Sequence, residues 1–549
     1  MQNKDSFSSK GLLAQGVTAA IALLATMSTQ ALQFEFNDGD VVVDWDSSVK
    51  YGVQWRVEDP DPNLDNFVSS ANTNDGTNNF DKGVVSNRIS LLTEADVQWR
   101  NFGFFLRGKA LYDHRYEEGN ANQTEETYLS DNSGDGAGTW FNVLNAPLGT
   151  TDRKDFNDDT LDIHGKDAFF LDAFAYGEFE LGERLLSARV GRQVISWGES
   201  LFFQGISGAQ NYADAAAANS PGTQVKEIFL PTGAAYLNLE MTPSINIEAY
   251  YQYEYKETKE AGVGSYWSNS DISGDGSERI LFVVEDLGLI IPAPVTDGDD
   301  PSDNGQWGVA LRYFMESGTE FGLYRLRYHD KFPSFVGVAD STATGPLARL
   351  PVQLLRHYEE GMDMYGASFS TLVGDVNIVG ELSYVPNSVV TQQVLPVLDP
   401  TTGRYENGKI QDGHVTQGNL GLFYVWGKTP VADSINLLGE AVYVSTDMDE
   451  EDILNDDDAY GYALTADFNY NSVMSGVDLA VKTSFKHAVD GSWKTLTLTD
   501  SAKEGSLGLQ ATYLKRWKGD IKYSRFWGAK SINNKQDRDN ITVTVQYSF

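Results

Sequence analysis

Any chemistry in this chain has to come from oxygen and nitrogen side chains, because its 549 residues include no cysteine. That excludes disulfides, thiolate metal sites and cysteine nucleophiles. The six histidines, His114, His164, His329, His357, His414 and His487, are scattered, and none stands in a zinc or nucleophile motif. A catalytic pair would have to be assembled by folding from distant segments. Two stretches, Asp131-Asn132-Ser133-Gly134-Asp135-Gly136 and Asp271-Ile272-Ser273-Gly274-Asp275-Gly276, resemble the first half of a calcium loop, but neither has a glutamate at the twelfth position. The sequence therefore predicts no catalytic residue, no metal site and no cofactor. The carboxylates Asp447, Asp449, Glu450, Glu451, Asp452, Asp456, Asp457 and Asp458 read as a solvated loop, with divalent ions bridging it to anionic lipopolysaccharide. A net charge of −37 argues against a nucleic-acid partner.

One segment stands apart. From Gly191-Arg192-Gln193-Val194-Ile195-Ser196-Trp197-Gly198-Glu199-Ser200 through Phe202, Phe203 and Gly205 to Pro221-Gly222 and Lys226-Glu227-Ile228-Phe229-Leu230-Pro231, strand periodicity is lost and a short helix is expected at 212–219. It is less acidic than its neighbours and rich in aromatics. We expect residues 196–233 to fold inward as a luminal plug or constriction. The candidate residues are Arg192, Gln193, Trp197, Glu199, Ser200, Phe202, Lys226 and Glu227, holding the segment to a wall by charge-assisted bonds. The competing reading is an ordinary external loop packed on a rim.

The elements that would position this segment are strands. In 41–57, Val43, Trp45, Val49, Tyr51, Val53, Trp55 and Val57 alternate with Asp44, Asp46, Lys50, Gln54 and Arg56, the period-two pattern of a strand with one apolar face. Hairpins follow at 87–99 with 102–112, 169–181 with 185–195, 234–241 with 245–255, 307–314 with 320–329 and 364–371 with 376–384. They continue at 418–426 with 434–444, 460–470 with 476–487 and 505–513 with 517–527. The chain closes on Ile541-Thr542-Val543-Thr544-Val545-Gln546-Tyr547-Ser548-Phe549. Short turns and long loops alternate strictly, as required of a transmembrane antiparallel β-barrel with short periplasmic turns and long acidic extracellular loops, here of about 18 strands (16 to 20). Such a closing strand, ending on Tyr547 and Phe549, is also expected to serve as the signal for the barrel-assembly machinery. Residues 1–31, with Lys4 and Lys10 ahead of a short apolar run, read as a secretory signal peptide, leaving 32–549 as the barrel. No stretch of about 20 apolar residues offers a spanning helix.

Inward positions mix signs: Glu94, Asp96, Glu178, Glu180, Glu240 and Glu248 against Arg107, Lys109, Arg189, Arg312, Arg325 and Arg327. They read either as paired ladders that stiffen the lumen wall or as a basic arc that filters anions.

The chain resembles the proteobacterial outer-membrane barrel family catalogued as domain of unknown function thirteen-oh-two. The resemblance lies in Phe34-Glu35-Phe36 with Asp38-Gly39, the Gly191 to Ser200 block, and Pro221-Gly222 leading into Lys226-Glu227 and Phe229-Leu230-Pro231. It continues in Leu382-Ser383-Tyr384 with Pro386-Asn387, Gly461-Tyr462, and Asp537-Arg538-Asp539. It implies a Gram-negative outer-membrane barrel working with a periplasmic lipoprotein-like partner and an inner-membrane transporter of the resistance-nodulation-division type, in the movement of lipids or other hydrophobic molecules. Expected functions are thus a channel for hydrophobic or lipid-like small molecules, a general diffusion porin for polar solutes, a loop-mediated interaction or adhesion protein, or, least supported by motifs, a hydrolase.

Overall fold

Membrane-embedded backbone has to pair all its N–H and C=O groups, and a closed antiparallel ladder does so without leaving an edge. The computed structural model describes residues 32–64, 70–122, 141–142, 155–340, 342–343, 346–392, 394–447, 456–493, 498–528 and 535–549. The signal-peptide reading, the Asp131–Gly136 stretch and most of the acidic loop from Asp449 lie outside them. Barrel strands are β1 (Val41–Arg56), β2 (Gly83–Trp99), β3 (Phe102–Asp113), β4 (Lys166–Leu181), β5 (Arg184–Gln193) and β6 (Thr232–Thr242). Then come β7 (Ile245–Gln252), β8 (Gln306–Phe314), β9 (Glu320–Tyr328), β10 (Met362–Val373), β11 (Val376–Gln392) and β12 (Ile410–Trp426). The last six are β13 (Ser434–Thr446), β14 (Asp458–Met474), β15 (Val477–Asp490), β16 (Lys503–Tyr513), β17 (Trp517–Trp527) and β18 (Asn540–Ser548).

Each strand pairs antiparallel with its sequence neighbours, and β18 pairs with β1 from Ser48↔Ser548 to Arg56↔Asn540, so 18 strands close the ring. A further strand, Leu32–Phe36, pairs with Val41–Trp45. It covers the part of the β1 edge that β18 does not reach, and Phe549 N–H and Ser47 C=O join the two ends at 2.9 Å. Sequence periodicity did not announce this strand, nor the small external sheet formed by Arg279–Val284, Leu289–Asp297, Ser334–Val338 and Gln353–His357. Pro292 and Pro294 interrupt the pattern that would have revealed it.

The outward belt is apolar and exposed to lipid. Leu311, Leu323, Leu382, Leu420, Leu464, Leu507, Leu509 and Ile521 form the belt, with Trp99, Phe102, Trp426 and Tyr513 toward the short turns and Tyr51, Tyr251, Tyr365, Tyr443 and Tyr460 toward the long loops.

The register corrects two assignments. On β9, Tyr324, Leu326 and Tyr328 are buried on the inner face, so Arg325 and Arg327 point outward and are not lumen charges. Arg325 lies 5.7 Å from the Trp307 ring and 5.3 Å from the Tyr365 ring, while Arg327 pairs with Asp363 at 3.1 Å. Both faces of this strand carry large side chains, so alternation alone left the side ambiguous. Long cationic side chains at the outer aromatic level place their stems on apolar surface and their heads in the polar interface.

Leu509 faces lipid midway along β16, between Val481 and Ile521. Leu509→Arg should lower stability in bilayers by roughly 2–4 kcal/mol, whereas Gln510→Arg, facing the lumen opposite Asp520, should stay within about 0.5 kcal/mol. Equilibrium urea unfolding in liposomes measures both.

Candidate functional site

The third external connection, between β5 and β6, does not stay outside. Its main chain is taken up by side chains of the inner wall on opposite sides of the barrel. On one side two carboxylates act as amide acceptors. Glu381 on β11 accepts from the N–H groups of Glu199 (2.6 Å), Ser200 (3.1 Å) and Ile206 (3.0 Å). Glu440 on β13 accepts from Leu201 (3.1 Å), Phe202 and Phe203. Asn419 on β12 donates to Phe203 C=O at 2.9 Å. A carboxylate gathering several backbone amides holds a loop much as an anion-binding nest would, each charged bond contributing about 1.5–3 kcal/mol. The geometry demands glycine at Gly205, since a Cβ there would fall on the Glu381 carboxylate.

Across the barrel the bonds are ion pairs. Lys50 on β1 meets Glu227 at 2.6 Å with both side chains buried, and Lys226 meets Glu94 on β2 at 2.7 Å. Arg107 on β3 bridges Glu94 (2.5 Å) and Asp172 (2.7 Å), and Arg88 donates to Ser220 at 2.9 Å. Burial opposes ionisation of Glu227, but Lys50 and Lys109 beside it outweigh burial and hold its carboxyl below the usual range. Gly52 lets the segment approach β1, because a Cβ there would sit 2.5 Å from that of Pro221.

Between these anchors the segment packs. Ile195, Trp197, Ile206 and Ala209 bury against Ala234, Tyr250, Tyr324, Leu326, Met362 and Met364 of β6 to β10. Phe203, with Phe202 beside it, packs on Val415, Val442, Val444, Ala459 and Ala463 of β12 to β14. The Trp197 indole N–H donates to Glu248 at 2.6 Å, and Glu248 also takes Tyr236 and Arg312. The expected helix occurs as Ala215–Ala218, N-capped by Asp214, with a second helix at Ile206–Gln210.

Of the proposed anchors, the structure brings Gln193, Trp197, Glu199, Ser200, Phe202, Lys226 and Glu227 to the wall or the segment. Gln193 donates to Ala234 C=O at 2.9 Å. Arg192 is a correction: it shares the outward face of Val190 by alternation and binds Glu254 beside the start of β6, tying down the loop after β7 rather than the inward segment. Sequence reasoning missed Glu381, Glu440, Asn419 and Lys50. Their signal was a polar residue at an inward strand position, which does not distinguish them from the other inward polar residues.

Glu94, Asp96, Arg107, Lys109, Arg189, Arg312 and Glu248 face the lumen, and Glu178 lies on the inner face near the turns. Arg189 lies against the Tyr236 ring at 4.4 Å. The basic ones are not confined to one arc, since Arg107 and Lys109 stand on β3 and Arg312 on β8. The buried histidines serve the main chain: His164 accepts from Gly262 N–H at 3.1 Å and His329 from Gly361 N–H at 2.9 Å. Asp271, of the calcium-like stretch, accepts from the N–H of Asn74 at 3.0 Å. Among the described residues no three His, Asp or Glu side chains converge as metal ligands.

Two outcomes follow for the site. Replacing Glu381 and Glu440 together by glutamine removes both charged acceptors, and single-channel conductance in planar bilayers should rise severalfold as the segment leaves the lumen. Glu199 is pushed up to about 7 by burial, then by Glu320 and Glu381, against Arg312. Its pKa is raised, so the neutral form persists up to that pH and the charge exists only above it. Reversal potentials across a salt gradient should therefore turn more cation-selective between pH 5.5 and pH 8, and Glu199→Gln should abolish that step.

Among solved structures, the chain is similar to a BenF-like porin from Pseudomonas fluorescens Pf-5 at 10% identity, with 92% of this chain and 98% of that chain covered and a TM-score of 0.43. It is also similar to OccAB4 of Acinetobacter baumannii (10% identity, 95% and 100% covered, TM-score 0.42) and to Pseudomonas aeruginosa OpdK with vanillate (10% identity, 92% and 98% covered, TM-score 0.40). No curated protein matches it. Over residues 12–549 the chain matches the family described as Protein of unknown function (DUF1302), and it belongs to that family.

Proposed function

We propose that this barrel is a channel in the outer membrane of a Gram-negative bacterium, and that it passes small hydrophobic or lipid-like molecules through a lumen narrowed by the segment 196–233. The observation that carries this reading is the inner wall itself. From β6 to β14, between the polar groups of Glu248, Arg312, Glu381, Asn419 and Glu440, it presents Tyr250, Leu326, Met362, Met364, Val442 and Val444 to the segment, apolar patches that the wall of a purely water-filled pore would not need. In this reading the segment is a constriction, Lys226, Glu227, Trp197, Glu199, Ser200 and Phe202 hold it, and the protein performs no catalysis. In this reading a periplasmic lipoprotein-like partner and an inner-membrane resistance-nodulation-division transporter supply direction and energy, lipopolysaccharide surrounds the loops, and the assembly machinery reads Tyr547 and Phe549.

A diffusion porin for polar solutes is the second reading. The ion-pair network of Lys50, Glu94, Arg107, Asp172 and Lys226 on the opposite arc favours it.

Deleting 205–222 should raise single-channel conductance severalfold, and unchanged conductance would remove the constriction from the reading. Mass spectrometry of the purified barrel should find a co-purifying lipid-like molecule, whereas liposome swelling with sugars and no such molecule would favour the porin. If neither is seen, the loops become the functional surface, as in an adhesion protein.

A further inference from the structure

Strand β4 overruns its neighbour. From Ala173 to Leu181 it pairs with β5, but from Lys166 to Asp172 its ladder partners among the described residues lie only on the β3 side. On the other side β5 has ended at Gln193, and β6 starts only at Thr232. The wall is notched there. Register sets the height: Phe170 lies opposite Gly108, two outward positions below Tyr112, so the notch stands close to the outer aromatic level. An unpaired strand edge at that depth runs against the rule that membrane-embedded backbone is hydrogen-bonded or covered.

The notch contains a cavity of about 270 Å³. On its outer side is Phe170, 62% exposed toward lipid. On its inner side are Leu171 and, from the inward segment, Tyr212, Leu230 and Pro231. Its roof is the loop 256–260, tied to the inward segment by Lys259 N–H to Ala213 C=O (2.9 Å) and Ala215 N–H to Lys259 C=O (2.8 Å), and to β4 by Lys259 with Asp167 at 3.3 Å. One cavity thus touches a lipid-facing side chain and the luminal segment.

We propose that this notch is a lateral portal, through which a small amphiphile with an apolar body and one polar head passes between the outer-leaflet hydrocarbon and the lumen. The body lies on Phe170, Leu171 and Leu230, and the head reaches Lys256, Glu257 and Tyr358 on the opposite rim. Tyr212, whose hydroxyl donates to Pro231 C=O at 3.2 Å, stands at the luminal end. The volume is near the lower end of ligand cavities, about 300–1,000 Å³, so the passenger is a single ring system or a short chain. This portal rests on the hydrophobic-route reading above and specifies where that route leaves the barrel.

Because the chain has no cysteine, one can be added and blocked after folding. Phe170→Cys and, as a remote lipid-facing control, Leu323→Cys are purified as full-length barrels in detergent, checked for heat-modifiable gel mobility, and labelled with biotin maleimide. Binding of tritiated decanoate is then read by scintillation proximity. The portal is supported if the wild type binds saturably, labelled Phe170→Cys binds at least ten-fold more weakly and labelled Leu323→Cys stays within two-fold of wild type. If labelling at both positions has the same effect while deletion of 205–222 abolishes binding, the route is axial: the portal is overturned and the hydrophobic channel stands. Absence of saturable binding by the wild type would overturn both.

Discussion

The constraint on which everything else depends is that backbone crossing hydrocarbon cannot leave its N–H and C=O groups unpaired, each unsatisfied group costing several kcal/mol. The ladder from β1 to β18 satisfies it by closing on itself, and Leu32–Phe36 covers the part of the β1 edge that β18 leaves free. Closure also has a consequence inside. A ring of 18 strands encloses a lumen wider than wall side chains can fill, so what occupies that space decides what the barrel can do.

Here the occupant is the connection from β5 to β6, held by two kinds of bond. Glu381 and Glu440 satisfy amides that no secondary structure pairs, while Lys50–Glu227 and Lys226–Glu94 fix the far side. Removing one partner of a buried pair such as Lys50–Glu227 strands a charge at a cost of about 3–5 kcal/mol. These polar contacts set position more than they add stability, and the apolar contacts of Ile195, Trp197, Ile206 and Phe203 supply the burial.

Strand positions were legible because a lipid-facing belt forces period-two alternation over ten or more residues, and because long loops and short turns must alternate around a barrel. The inward habit of the third loop was legible from lost periodicity and aromatic content. Its partners were not. Glu381 and Glu440 are single inward carboxylates on strands far away in sequence. Arg325 and Arg327 were misplaced because β9 carries bulky residues on both faces, and Arg192 because a residue at a strand end can turn to either side of the wall.

By itself the sequence determined the class of solvent this protein lives in, the number and order of its strands to within a hairpin, and the segment that departs from them. These are local properties, written in the spacing of neighbouring side chains. Only the tertiary structure decided which wall residues grip the segment, where apolar patches and ion pairs of the wall meet it, and where the wall is notched beside β4. Those depend on register and circumference, which bring together residues hundreds of positions apart and leave no local period behind.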